Sequence, residues 1–295
     1  MEIRQMRYFL ATAEEMNITR AAEKLHIAQP PLSRALAALE KELGTQLFIR
    51  GKRRIMLTAE GALFRHRCEQ ILALTDKTAE EIRTMKHGIS GTLYIGTVEG
   101  RGPAYVSEWI AGFEKIFPNV RYNVWDGNMD DIFSRLEKGL IDVAVGLEPY
   151  DPEIYEGYHV GREPWAAVIP ADHPLAGARK SIPLADLAGQ ELIVSSRKSR
   201  MQEISKWFQD IGAEPNVRVG VAHESNLFEL VEKGIGIGIF PASISENASG
   251  RRVVVKKIVE PTFMASYVLL APKERTRSEL VDKFIAYVRE TEGKK

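Results

Sequence analysis

Ile18-Thr19-Arg20-Ala21-Ala22-Glu23-Lys24-Leu25-His26-Ile27-Ala28-Gln29-Pro30-Pro31-Leu32-Ser33-Arg34-Ala35-Leu36-Ala37-Ala38-Leu39-Glu40 is the stretch on which the fold turns. Ala22, Leu25, Leu32, Leu36 and Leu39 recur at helical spacing, so two short helices can share one small core. Thr19 is a good N-cap for the first of them. Its partner three residues on is Ala22 and not Glu, so the capping box is incomplete. The second helix opens with Gln29, Pro30, Pro31, Ser33 and Arg34. Proline suits a first helical turn, where its missing N–H costs nothing. A helix start bearing Gln, Ser and Arg can meet base edges and phosphates, which is the pattern of a helix-turn-helix.

Outward from this stretch, residues 3–15 read as a helix with Ile3, Met6, Phe9, Leu10 and Ala13 inside, and Asn17 acts as a cap or an interruption at its end. The second helix of the opening stretch extends to about Leu43, and Gly44 is placed for a C-cap. Leu47 to Thr58 contains two apolar runs around a turn holding Arg50, Lys52, Arg53 and Arg54, a β-hairpin wing. Those four cations could be a solvated turn; beside a helix-turn-helix, phosphate contact is the better reading. From Thr58-Ala59-Glu60-Gly61 a long helix runs to about His87. Phe64, Cys68, Ile71, Thr75, Thr78, Ile82 and Met85 alternate in steps of four and three, a coiled-coil period. Either the helix packs on its own domain or this seam pairs two chains; pairing doubles the base contacts and fits palindromic sites.

Bulk properties set the remaining bounds. A chain of 295 residues has room for two or more cores. No apolar run spans a bilayer, the N-terminus lacks a secretory layout, and one cysteine excludes an internal disulfide and any multi-cysteine metal site. A cytoplasmic protein is the simplest expectation. Net charge is zero, yet residues 1–58 carry ten Lys and Arg against six Asp and Glu, a net +4 that leaves −4 for the rest. A basic head on an acidic body fits a polyanion-binding module joined to one that binds no polyanion.

After Gly88-Ile89-Ser90-Gly91 the pattern changes. Strands at 92–97, 120–125 and 141–146 alternate with helices at 103–117 and 128–138, a βαβαβ unit with a parallel sheet. Further strands fall near 166–169, 191–194, 217–221, 235–240, 253–258 and 266–271, and helices at 200–211, 226–233 and 276–290. This describes a second α/β unit inserted into the first, with the chain returning at its end.

The head resembles the LysR-type transcriptional regulators. The matching residues are Leu10, Ala21-Ala22, Leu25, Ala28-Gln29-Pro30, Leu32-Ser33-Arg34, Leu39-Glu40, Leu43-Gly44, Leu47-Phe48, Arg50, Leu57-Thr58 and Gly61. In the body, Phe117-Pro118-Asn119-Val120, Gly139 to Val145 and Gly234 to Pro241 are similar to family words more loosely. The resemblance implies a winged helix-turn-helix over 1–58, a linker and dimerisation helix over 59–87, and an α/β effector-binding domain over 90–295 like a type 2 periplasmic binding protein. Its first subdomain would comprise about 90–161 and 266–295, its second about 162–265. It further implies promoter DNA, a small charged metabolite and other copies of the chain as partners, in dimers and tetramers that bend DNA, with no cofactor. Carried across residue by residue, Gln29, Pro30, Ser33 and Arg34 match the DNA-contacting helix start, and Arg34 can pair bidentately with a guanine.

An effector cleft between the α/β halves would lie at strand C-termini, where helix N-termini present N–H groups. The candidate loops are Thr97-Val98-Glu99-Gly100-Arg101-Gly102, Asp126-Gly127-Asn128, Gly146-Leu147-Glu148, Ser195-Ser196-Arg197 and Glu224-Ser225, with Thr97, Glu99, Gly100, Arg101, Asp126, Gly127, Asn128, Gly146, Ser195, Ser196, Glu224 and Ser225 as the contact candidates. Glu99 and Arg101 stand where the family often has small hydroxyl residues. They could pair with a charged or zwitterionic effector, or be exposed or pair with each other. Other constellations are weak. The Gly234–Gly238 run lacks a nucleotide-loop register, the six histidines show no ligand spacing, and Ser195 is in no nucleophile elbow. A secreted solute-binding protein and a cleft enzyme are the alternatives. The basic head and the lack of a leader count against the first, and the lack of a nucleophile–base set against the second.

Overall fold

The computed structural model describes residues 1–50, 55–84, 89–274 and 276–293. It divides into two compact units, Met1–Lys86 and His87–Lys295.

The first unit contains α1 (Ile3–Glu15), α2 (Ile18–Lys24), α3 (Gln29–Leu43), the antiparallel pair β1 (Phe48–Arg50) and β2 (Ile55–Leu57), and α4 (Ala59–Thr84). Its core is Met6, Phe9, Ala13, Ala21, Ala22, Leu32, Leu36, Leu39, Leu47 and Cys68. Ile3, placed inside by periodicity, is 41% exposed in the first turn of α1. The cap of α2 is Asn17, not Thr19: the Asn17 Oδ1 accepts from the Thr19 and Arg20 amides at 2.9 and 3.1 Å. Thr19 is thereby the second residue of the helix, with an exposed side chain. His26 turns the chain between α2 and α3 at φ 54°, and Gly44 ends α3 at φ 69°. The Glu40 Oε1 accepts from the Leu47 and Phe48 amides at 2.8 and 3.1 Å, tying α3 to the hairpin. Gly61 permits α4 to start beneath it, since a Cβ there would lie 2.1 Å from the Leu47 carbonyl oxygen.

The long helix corrects part of the expected seam. Cys68 is fully buried in its own domain, and Phe64 packs edge-on against Phe9 with ring centroids 4.8 Å apart. These two positions are occupied within the chain, so the reading of a helix packed on its own domain holds for the first half of α4. Burial pushes the Cys68 thiol up to about 11, which keeps it a neutral apolar group. Ile71 and Ile82 of the expected seam are exposed, as are Leu63 and Leu74 outside it. Thr75 and Thr78 give their hydroxyls to the Ile71 and Leu74 carbonyls at 2.8 Å, so neither asks for an outside partner. Met85 lies outside the described residues.

The second unit is built on one ten-stranded mixed sheet. Its elements are β3 (Gly91–Thr97), α5 (Gly102–Ile116), β4 (Val120–Asp126), α6 (Met129–Glu137), β5 (Val143–Leu147), β6 (Tyr155–Pro170), β7 (Ser181–Pro183), β8 (Glu191–Ser195), α7 (Lys198–Asp210), β9 (Asn216–Val221), α8 (Glu224–Glu232), β10 (Ile237–Pro241), β11 (Val253–Val259), β12 (Met264–Pro272) and α9 (Glu279–Glu292). The main path runs β4-β3-β5-β12-β6-β10-β8-β9, with β11 bridging β6 and β7. β3 pairs in parallel with β4 and β5, the pattern expected of a βαβαβ unit.

β6 is sixteen residues long, where the sequence marks only its last part. Its early residues, with Gly157, Gly161 and polar or charged His159, Arg162 and Glu163, interrupt the apolar alternation. Tyr155 and Val160 belong to one core with Leu93, Trp109, Phe113 and Phe284. Trp165, Ala167 and Ile169 belong to another with Leu192, Ile204, Trp207 and Phe208. β12 crosses likewise, with Ala265 in the second core and Tyr267 to Ala271 in the first. Two lobes therefore share two continuous strands.

Candidate functional site

The first candidate surface is the start of α3. Gln29, Pro30, Pro31 and Arg34 are exposed and Ser33 is half-buried, while Leu32 and Leu36 hold the opposite face in the core. Among the described residues no side chain caps the helix and no acid lies in its first turn, so nothing there repels a phosphate; Pro30 and Pro31 carry no N–H, which leaves the contacts mainly to the exposed side chains. Arg20 and Lys24 are committed to Glu15 and Glu14, at 3.6 and 2.8 Å. Arg34 has no such partner among the described residues. Arg50 ends β1 opposite Ile55. Lys52, Arg53 and Arg54 lie outside the described residues.

The second is a cleft between the lobes of the α/β unit, of about 630 Å³ with its open mouth. Glu99, Gly127, Asn128, Ser195 and Glu224 line it. Seven other expected residues do not. Thr97 is buried and gives its hydroxyl to the Val98 carbonyl at 3.1 Å. Gly146 is buried in β5, where a Cβ would come within 2.8 Å of the Met129 sulfur. Asp126, Ser196 and Ser225 are exposed outside the lining, and Ser225 belongs to α8, which starts at Glu224. Arg101 is exposed too, its guanidinium 5.8 Å from the Tyr105 ring centre. Glu99 and Arg101 do not pair. The Glu99 carboxylate crosses to the other lobe, accepts from the Glu224 amide at 2.8 Å and meets His223 Nδ1 at 3.1 Å. It thus caps α8, whose own N-cap, His223, supplies no side-chain bond.

Gly100 stands at φ 80° over the crossing strands, where a Cβ would lie 3.0 Å from both the Ser243 and Tyr267 hydroxyls. Beneath it Glu163 on β6 accepts from the Tyr267 hydroxyl at 2.6 Å, the Ser243 hydroxyl at 2.7 Å and the Ser243 amide at 2.6 Å. The Tyr267 oxygen in turn accepts from the Arg101 amide at 3.3 Å. Burial and the Glu163 charge raise the Tyr267 pKa, so it remains a donor.

The residues that periodicity misses come mainly from α7 and the sheet. Arg200 is buried, donates to the Glu148 carbonyl at 2.8 Å, pairs with Glu203 and lies 4.5 Å from the Trp165 ring centre. Arg197 reaches Asp130 at 3.2 Å and the Pro149 carbonyl at 3.3 Å. Val98, Met129, Leu147, Ile239, Phe240 and Pro241 supply the apolar wall. Arg197 closes the candidate loop Ser195-Ser196-Arg197, and Val98 and Leu147 lie in two others, so the sequence marks their segments. Nothing in the sequence marks Arg200 as inward-facing, because a buried arginine on a helix reads as a solvated one.

Glu224 is 8% exposed, and burial, with Glu99 and Glu163 beside it, pushes its carboxyl up to about 7. The folded state therefore holds this proton more tightly than the unfolded chain. The associated stability is complete below the ordinary value of 4.5 and is lost progressively as pH rises to about 7. Glu224→Gln is expected to raise the melting temperature more at pH 8 than at pH 5. Equal melting shifts at both pH values would contradict this environment.

Known proteins match along the same division of the chain. The model of a bacterial regulatory helix-turn-helix protein of the lysR family matches residues 3–62, and that of the LysR substrate binding domain matches residues 86–293. The chain is 30% identical to an uncharacterised HTH-type transcriptional regulator, YnfL, of Escherichia coli over 96% of each chain. It is 32% identical to the HTH-type transcriptional regulator BsdA of Bacillus subtilis over 83% of this chain and 85% of that one. Full-length CbnR, solved with its target DNA, superposes with a TM-score of 0.76 at 27% identity over 99% of this chain and 100% of that one. A helix start open to DNA and a cleft between two α/β lobes thus occur in one chain, and that chain belongs to the LysR family of DNA-binding transcriptional regulators.

Proposed function

We propose that the chain is a cytoplasmic, homo-oligomeric regulator in which α3 and the wing bind promoter DNA and a small molecule in the cleft alters how the DNA is engaged. The observation that carries the reading is the pair of cross-lobe ties at the cleft, Glu99 to the start of α8 and Arg197 to Asp130. A ligand competing for either tie changes the relative free energies of two lobe arrangements, which is what a population shift requires. Self-association would use the exposed stripe Leu63, Ile71, Leu74 and Ile82 of α4, with dimers pairing further into tetramers. Glu99, Gly127, Asn128, Ser195 and Glu224 would contact the effector, together with Arg197, Arg200 and Trp165. The DNA-binding domain would comprise 1–58, the linker 59–87 and the effector domain 90–295.

Footprinting on the chain's own promoter region, with and without metabolite pools, tests this reading; a protected site whose extent changes with ligand is the expected result. Arg53→Ala is expected to weaken binding to all sequences and to reduce the salt slope by about one. An unchanged slope would remove Arg53 from the phosphate contacts.

A further inference from the structure

The cleft carries more unanswered negative charge than positive. Its two arginines are already matched, Arg197 by Asp130 and Arg200 by Glu203. Its two acids have weaker answers among the described residues. Glu224 receives only a long bond from the Asn247 amide, 3.4 Å, and Glu99 a backbone N–H and His223. A third carboxylate, Glu163, adds to the field at Glu224. A second, independent feature lies in the same wall. Trp165 is 2% exposed, lines the cleft, and its indole Nε1–H has no hydrogen-bond partner among the described residues. A buried donor left without an acceptor is destabilising, so a ligand whose acceptor reaches the edge of this indole is favoured.

We propose that the cleft takes a two-ended small molecule: a protonated nitrogen seated against Glu99 and Glu224, a hydrogen-bond acceptor such as a carboxylate for the Trp165 indole N–H, and a short apolar segment between them. The apolar segment would lie on Met129, Leu147 and Phe240, which face the same space. This rests on the reading of the cleft as the effector site and specifies what it selects. A plain anion is disfavoured because Glu99 already occupies the start of α8, where an anionic ligand would otherwise gain most from the helix dipole.

The charge assignment fixes the sign of the pH dependence. The groups facing Glu224 are Glu99 from the β3–α5 loop, Glu163 from β6, and its neighbour His223, with Asn247 and the Tyr267 hydroxyl as neutral partners nearby. A cation binds the ionised form of Glu224, so its affinity rises with pH through about 7. An anion would show the opposite trend.

The test uses the full chain with 4-aminobutanoate, 5-aminopentanoate and L-norvaline as probes. Each is compared with its amine-free acid and its acid-free amine, and with succinate, by calorimetry and tryptophan fluorescence. At least one zwitterion is expected to bind more tightly than either of its halves, with affinity rising up to about tenfold from pH 6 to pH 8. Glu224→Gln should remove that pH dependence. Trp165→Phe should weaken binding about tenfold and leave the pH dependence in place. The proposal is overturned if no zwitterion binds, or if the acids or succinate bind better and lose affinity as pH rises. Should succinate bind and move the footprint, the ligand class fails while the regulator reading stands. Should a zwitterion bind as expected with the footprint unmoved, the class stands and the regulator reading fails.

Discussion

Arg34→Ala is expected to weaken binding to a cognate site by ~1–3 kcal/mol while changing affinity for random DNA much less. Leu32, Leu36 and Leu39 are drawn into the core, which fixes the rotation of α3. That rotation leaves Gln29, Pro30 and Arg34 exposed at its first turns. Arg34 is free of any carboxylate among the described residues, so its five donors are available without breaking an existing pair. A guanidinium at the start of a recognition helix can address guanine O6 and N7 together, a contact that depends on sequence. Competition binding against an operator and a scrambled duplex measures the difference. Equal loss on both would reassign Arg34 to the phosphate backbone.

Phe9→Ala is expected to destabilise the N-terminal domain by ~3–5 kcal/mol, enough to unfold much of it at growth temperature. The Phe9 ring is fully buried, 5.0 Å from the Phe48 ring and 4.8 Å from that of Phe64. It therefore joins α1, the hairpin and α4, and its loss leaves a cavity at their junction. Because the chain forms two compact units, the effect should fall on one thermal transition and spare the other. The single cysteine provides a direct readout, since Cys68 is buried against the same core. In the variant it should react quickly with a thiol reagent, whereas the parent should react slowly. A slow thiol together with an unshifted melting curve would show that α4 is held by other contacts.

Much of the architecture is legible in the sequence because its signals are local. The break between the two helices of the opening stretch, the stop at Gly44 and the strand–helix alternation after Gly91 each arise from periodicity and punctuation within a short window. The cap of α2 is local too, yet ambiguous: Asn17 and Thr19 are both capable caps, and only the backbone shows which one carries extended dihedrals. The expected seam of α4 fails in its first half because a period alone does not say which of two apolar surfaces it faces. Phe64 and Cys68 meet their own domain, and exposed Leu63 and Leu74 lie outside the four-and-three series. In the cleft, the loops at strand ends do contribute, and five of the expected residues line it. Arg200 and Trp165 are not legible. They come from a helix face and from the middle of a strand that passes between two cores, and their shared position depends on contacts across the chain.

If occupancy of the cleft changes how the protein engages DNA, filling the cleft must remove the ligand's effect on DNA. Ala222 lines the cleft, and Ala222→Trp would fill it while leaving the surface of α3 untouched. The measurement is DNA bend angle and footprint length for the full chain, with and without a ligand that binds it, in the parent and in Ala222→Trp. The predicted result is a ligand-dependent change of both in the parent and none in the variant, with similar DNA affinity for the two proteins in the absence of ligand. A ligand that binds the parent tightly, is excluded by Ala222→Trp, and yet leaves bend and footprint of the parent unchanged would contradict it.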